Sequence, residues 1–140
     1  MLGAALALHV RQAEPEAWQP AHQRFTVCGA ERGSAACVID GDTLAIGRRR
    51  VRLTGYDAPE LAGACPAESA LARQARSELA RWLNAGPYEM LDATDAPRDR
   101  YGRELLAARR GGRELADHMI AKGLGRETGW GAPERDWCDQ

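Results

Sequence analysis

Residues 36–53 read ACVIDGDTLAIGRRRVRL, and the way they alternate decides the fold class. Ala36 to Asp40 is a short apolar strand, and Asp40-Gly41 is a hairpin turn signal. Leu44 and Ile46 alternate with their neighbours, a turn follows through Gly47 and Arg50, and Val51 and Leu53 take up the alternation again. The stretch is a three-strand meander.

Beyond it the period changes. Leu71, Ala75, Leu79 and Leu83 recur at every fourth position with Trp82 beside them, which predicts an amphipathic helix of about 18 residues. Pro66 stands near its first turn and Gly86-Pro87 ends it. Tyr88, Met90 and Asp92 begin a fourth strand, and Glu104 to Ala108 form a fifth that ends at Gly111-Gly112. Leu115, Met119 and Ile120 make a short second helix with Gly123 placed to cap it. A third helix is confined to Glu134 to Cys138. The expected fold is therefore mainly β with α (α+β). It is a five-stranded OB-fold β-barrel, closed or partly open, with two to three helices.

Length and composition bound the rest. The chain has 140 residues, 44% hydrophobic and 28% charged, as expected for one globular domain. Residues 1–23 read as an N-terminal stub and linker, apolar from Leu2 to Leu8 and then rich in Glu and Pro. The stub is a candidate remnant of a signal or anchor, and the domain is expected over 24–138. No run is long and apolar enough for a transmembrane helix. Lys and Arg total 19 against 20 Asp and Glu, a formal net charge of -1. Bulk charge excludes a strongly basic nucleic-acid binder, so any such binding must be local. Lys122 is the only lysine, so 19 − 1 = 18 of the basic residues are arginine, the residue suited to bidentate phosphate contacts.

Cys28, Cys37, Cys65 and Cys138 show no CxxC spacing, and His9, His22 and His118 are not at zinc-finger positions. Four cysteines allow three disulfide connectivities. We favour Cys28–Cys37, closing a short loop, with Cys65–Cys138, tying the end of the chain to its middle. Two disulfides imply an exported location, periplasmic, secreted or membrane-tethered. The alternative is four thiols in the cytoplasm.

Three patches carry chemistry. Asp40-Gly41-Asp42-Thr43 invites an EF-hand reading, but Val51 stands where such a loop needs its bidentate glutamate. Residues 52–60 read RLTGYDAPE. The meander folds Asp42 back towards Asp57, so two carboxylates from neighbouring strands can share one hard cation. Pro59 restricts the residue before it and sets the direction in which Glu60 leaves the strand. Residues 99–103, DRYGR, form a tight turn whose arginines and tyrosine suit phosphate oxygens. Each patch alone also reads as an ordinary polar turn.

Together, in this order and with a helix between the last two, the strings IDGDT, VRLTGYDAPE and DRYGRELLA resemble the staphylococcal nuclease (thermonuclease) family from about Phe25 to about Cys138. The resemblance implies calcium-dependent hydrolysis of DNA and RNA phosphodiesters without preference for the sugar. It implies calcium held by Asp42, Asp57 and the backbone carbonyl of Ala58. It makes Glu60 the general base, Arg52 and Arg103 the phosphate clamp, and Tyr101 and Arg100 further phosphate contacts. The loop after Glu60 is short and uncharged where the best-known member has a lysine-rich one. Trp130 stands near where the family offers aromatic residues to stack on a base. Single-stranded DNA and RNA are the implied substrates, with a monomer and no obligate protein partner expected. Two other classes remain. One is a non-catalytic nucleic-acid or protein-binding module on the same barrel. The other is a disulfide-stapled calcium-binding domain, which leaves Arg52 and Arg103 unexplained.

Overall fold

The computed structural model describes residues 18–29, 35–91, 97–132 and 136–139. In chain order the elements are β1 (Trp18–Ala21), β2 (Thr26–Val27), β3 (Ala36–Asp40), β4 (Thr43–Ile46), β5 (Arg49–Leu53) and β6 (Tyr56–Asp57). Helix α1 (Pro66–Asn84) follows, then β7 (Tyr88–Leu91), β8 (Glu104–Leu106), β9 (Ala108–Arg110), β10 (Arg113–Glu114), α2 (Leu115–Ala121) and β11 (Arg126–Glu127). The architecture is α+β, mostly sheet, with two helices among the described residues.

The meander forms as expected. β3, β4 and β5 pair antiparallel in sequence order, with Leu44 opposite both Val38 and Val51. All three of those side chains are buried, so a one-residue slip would turn the apolar set outward. β2 joins the outer edge of β3 and β8 the outer edge of β5, both parallel, giving the order β2-β3-β4-β5-β8. A second sheet has the order β1-β7-β9-β10, and β6 pairs with β11 alone.

Three differences from the sequence reading have physical causes. The expected fifth strand is two strands separated by Ala107, β8 pairing with β5 and β9 with β7. The chain bends there because its two halves satisfy different sheets, with Ala107 O accepting from Leu91 N at 2.9 Å. The fold also begins before residue 24. Trp18–Ala21 pairs with β7, and its exposed middle residues Gln19 and Pro20 hide it from a hydrophobic pattern. Finally, the strands lie in three open sheets, and no closed ring of hydrogen bonds forms among the described residues. Asp92 and Glu134 lie outside the described residues, and the chain at Trp137 and Cys138 is a turn rather than a helix.

Helix α1 follows its predicted face. Ala75, Leu79, Trp82 and Leu83 are buried, and Leu71 packs at the edge of the core. Gly41 is where α1 presses closest to the meander. A Cβ there would stand 2.6 Å from the Ala75 Cβ and 2.8 Å from the Ala58 Cβ, so only glycine admits the contact. Gly111 and Gly112, with φ of 57° and 77°, supply the two left-handed residues of the β9–β10 turn.

Both favoured disulfides are present. Cys28–Cys37 has a Cα–Cα distance of 4.8 Å and Cys65–Cys138 one of 6.0 Å. Cys65 also caps α1, its sulfur accepting from Glu68 N at 3.4 Å. Among the described residues no helix is long and apolar enough to cross a membrane.

Candidate active site

The β3–β4 turn delivers Asp42 to the end of β5, where Leu53 N donates to Asp42 O at 2.8 Å. Asp42 is 6% exposed, and every side-chain oxygen has a partner. Oδ2 accepts from Ala58 N at 2.9 Å and faces Arg52 Nη1 at 2.8 Å, while Oδ1 accepts from Thr43 Oγ1 at 3.1 Å. Asp40 Oδ1 in turn accepts from Asp42 N at 3.1 Å. Burial pushes the Asp42 carboxyl upward, with Arg52 pulling it down and Asp40 pushing it up further.

Arg52 is the hub. Besides Asp42, Nη2 reaches Asp57 Oδ1 at 3.1 Å, and Nη1 donates to the carbonyls of Leu53 at 2.8 Å and Tyr56 at 3.2 Å. Tyr56 is buried beneath it and donates its hydroxyl to Gly41 O at 2.6 Å. That bond ties β6 to the turn carrying Asp42. Burial, then the Asp42 charge, raises the Tyr56 phenol well above its ordinary value, so it stays a donor.

Asp57 has a second cation that the sequence reading missed. Arg126 lies opposite Asp57 in the β6–β11 register, and its Nε and Nη2 stand 2.8 and 2.6 Å from Asp57 Oδ2. Two-residue strands 69 positions apart carry no periodicity that could have announced the pair.

Glu60 is exposed on the rim of a cleft of about 410 Å³ lined by Asp57, Ala58, Glu68, Arg126, Asp136 and Trp137 as well. Partial burial raises its carboxyl, and the charges of Asp40, Asp57 and Glu68 raise it further. Glu68, in the first turn of α1, was also missed. Its Oε2 accepts from Glu60 N at 2.9 Å and its Oε1 from Ala64 N at 3.0 Å. One buried carboxylate therefore anchors both ends of the loop after Glu60. An acid in a helix's first turn was the available signal.

A second cleft, about 290 Å³, lies on the other side of the Arg52–Asp57 pair. Arg52, Thr54, Asp99, Arg103 and Thr128 are among its lining residues. Asp99 organises the hairpin between β7 and β8. It accepts from Tyr101 N at 3.0 Å, Arg103 N at 2.9 Å and Arg103 Nε at 2.6 Å. Against a desolvation push upward, the backbone N–H and guanidinium of Arg103 hold the Asp99 carboxyl below its ordinary value. Arg103 keeps both terminal nitrogens without a partner among the described residues.

Tyr101 is 67% exposed, with the Arg100 and Arg103 guanidinium carbons 4.8 and 5.3 Å from its ring centroid. Its hydroxyl accepts from Arg100 Nη2 at 2.7 Å. Trp130 is fully exposed and lines neither cleft. So the fold brings Asp42, Arg52, Asp57, Ala58 and Glu60 together, sets Arg103 beside Arg52, and leaves Trp130 apart.

Among the described residues no group of three or more His, Cys, Asp or Glu is arranged to hold a metal ion. The donor chemistry at Asp42 and Asp57 still suits a hard cation. Both carboxylates already share one cation, the Arg52 guanidinium. In comparisons with known proteins, no family model matches the chain and no curated protein matches it.

Proposed function

We propose that this protein is a calcium-dependent, sugar-non-specific nuclease of staphylococcal nuclease type, hydrolysing phosphodiesters in single-stranded DNA and RNA. In this reading the two larger sheets are the halves of an OB-type barrel, with Ala107 as the bend between them. The observation that carries it is the position of Arg52. It bonds Asp42 and Asp57 and also lines the same cleft as Arg103. A purely structural domain has no need of a partly accessible arginine pair beside two fixed carboxylates.

In-line hydrolysis needs a base for the attacking water and donors for the charge that grows on the phosphoryl oxygens. Glu60, its carboxyl raised by burial and neighbouring acids and exposed on the rim of the adjoining cleft beside Asp57, takes the proton. Arg103 presents its terminal N–H groups to a non-bridging oxygen, and Arg52 shares the opposite side of that phosphate. Asp42, Asp57 and the Ala58 carbonyl would hold calcium, which when bound supplies Lewis-acid neutralisation of the phosphate. Tyr101 and Arg100 form an exposed rim that meets the strand outside the clamp. Two disulfides suit an exported protein, and we read it as a monomer acting without a protein partner.

The test is cleavage of labelled single-stranded DNA and RNA in millimolar calcium, in chelator, and by Glu60→Ala in calcium. Cutting confined to the wild type with calcium is the expected result. Strands that are bound but left whole would instead make this a binding module.

A further inference from the structure

Arg50 lies outside every role given above, yet its place on β5 is specific. It is two residues before Arg52 on the same strand, so both side chains leave the same face about 6.6 Å apart. The parallel β5–β8 register pairs Arg52 with Leu105. Extended two residues back, past the first residue of β8, that register brings Arg103 level with Arg50, one strand spacing or about 4.8 Å away in the backbone. Three arginines thus share one corner of one sheet face.

Their commitments differ. Arg52 is bound to Asp42 and Asp57, and Arg103 to Asp99. Arg49, on the opposite face, is bound to Glu104. Arg50 is exposed, and no carboxylate pairs with it among the described residues. Its Nη1 donates to Gly47 O and Arg49 O, both at 3.1 Å. Those bonds hold the head against the β4–β5 turn and leave Nε and Nη2 for another acceptor.

The field along β5 is polar. Asp40, Asp42, Asp57, Glu60 and Glu68 crowd its C-terminal end against only Arg52 and Arg126, so beyond Arg52 that end carries net negative charge. A strand whose scissile phosphate sits at Arg52 and Arg103 must therefore leave towards the N-terminal end, over Arg50. We infer that Arg50 is a second phosphate subsite that binds the neighbouring phosphate of a single-stranded polynucleotide. The inference rests on the phosphodiesterase reading and narrows its substrate class to chains longer than a dinucleotide.

The experiment compares wild type, Arg50→Gln and the control Arg113→Gln. It measures kcat/KM in calcium for a decanucleotide and a dinucleotide, and decanucleotide binding in chelator as salt is varied. One charge-assisted contact predicts that Arg50→Gln lowers the decanucleotide-to-dinucleotide ratio of kcat/KM about tenfold. The log–log salt slope of binding should fall by about 0.7. Arg113→Gln, exposed on β10 in the other sheet, should change neither. An unchanged ratio in Arg50→Gln, with wild type cutting both substrates, overturns the subsite and spares the nuclease. If wild type cuts nothing, the nuclease reading falls and the slope decides: a drop of about 0.7 keeps the subsite, and no drop removes it. Arg50 is exposed and makes no core contact, so its replacement leaves folding out of the comparison.

Discussion

The aspartate side and the arginine hairpin of the site are held in opposite ways. Asp42 is buried, with its oxygens shared among Arg52, Ala58 N and Thr43. Arg52 itself reaches two carboxylates and two carbonyls. Across the cleft, Tyr101 and Arg100 are exposed, and the hairpin is held by the Asp99 carboxylate together with Arg98 Nη1 donating to Gly102 O and Leu105 N to Pro97 O. The aspartate side is set by folding, because none of its groups tolerates being left unpaired in a dry place. The hairpin carries Tyr101 and Arg100 in solvent, where a polar group left unpaired costs little. A phosphate would thus meet a rigid wall on one side and an adaptable grip on the other.

The largest effect separates the two sides directly. Arg52→Ala and Arg103→Ala should each lower diester cleavage by about 10²–10³, since each removes a preorganised donor. Their stabilities should diverge. Removing Arg52 strands the buried Asp42 carboxyl and should cost about 3 kcal/mol in urea unfolding. Removing Arg103 dissolves a partly exposed pair and should cost about 0.5 kcal/mol. Equal stability losses would erase the rigid-against-adaptable contrast. A loss of cleavage under threefold in both would remove the clamp.

Glu68 sharpens the rigid side. As a positioning residue it acts through Glu60, whose N–H it holds. Glu68→Ala leaves the N–H groups of Glu60 and Ala64 without their acceptor, at a cost of about 2 kcal/mol. Glu60 then swings with its loop, and kcat should fall about tenfold. KM for an oligonucleotide should stay within twofold, about the scatter of such constants. Glu68→Gln keeps one acceptor and should restore part of both losses. If kcat holds while stability falls, Glu68 is only a loop anchor.

The meander, α1 and both disulfides were legible because their signals are local or few. One buried face forces period two on Val38, Leu44, Val51 and Leu53, and Ala75, Leu79 and Leu83 force a helical stripe. The approach of Asp42 to Asp57 was legible for the same reason, since a continuous meander brings them together, whereas Arg52 was singled out only through the family resemblance. What stayed hidden depends on pairings with no pattern of their own. β1 is a Pro-containing strand whose middle faces solvent. β6 and β11 are two residues each, and Arg126 reaches Asp57 only through them. Ala107 divides one apparent strand because two sheets compete for its ends. Glu68 is an acid in the first turn of α1, and only the folded loop shows which N–H groups it holds.

The smallest effect lies away from both sides of the cleft and serves as their control. Glu78 on α1 bonds Arg81 and also His118 Nε2 on α2, the latter at 2.7 Å. The hydrogen bond from Arg81, and then that from His118, lower the Glu78 carboxyl from 4.5 to about 2. A carboxyl depressed by folding stabilises the native state above its unfolded value, and that contribution is lost as pH falls from about 4.5 to about 2. Arg81 is exposed, so solvent screening limits the gain to about 1 kcal/mol. Glu78→Gln should therefore lower the urea midpoint at pH 7 and lose that deficit as pH falls through this window. Cleavage should be unchanged, because the pair stands apart from both clefts. If cleavage falls with it, the helices are coupled to the site, and the rigid side extends further into the fold than Asp42 and Arg52.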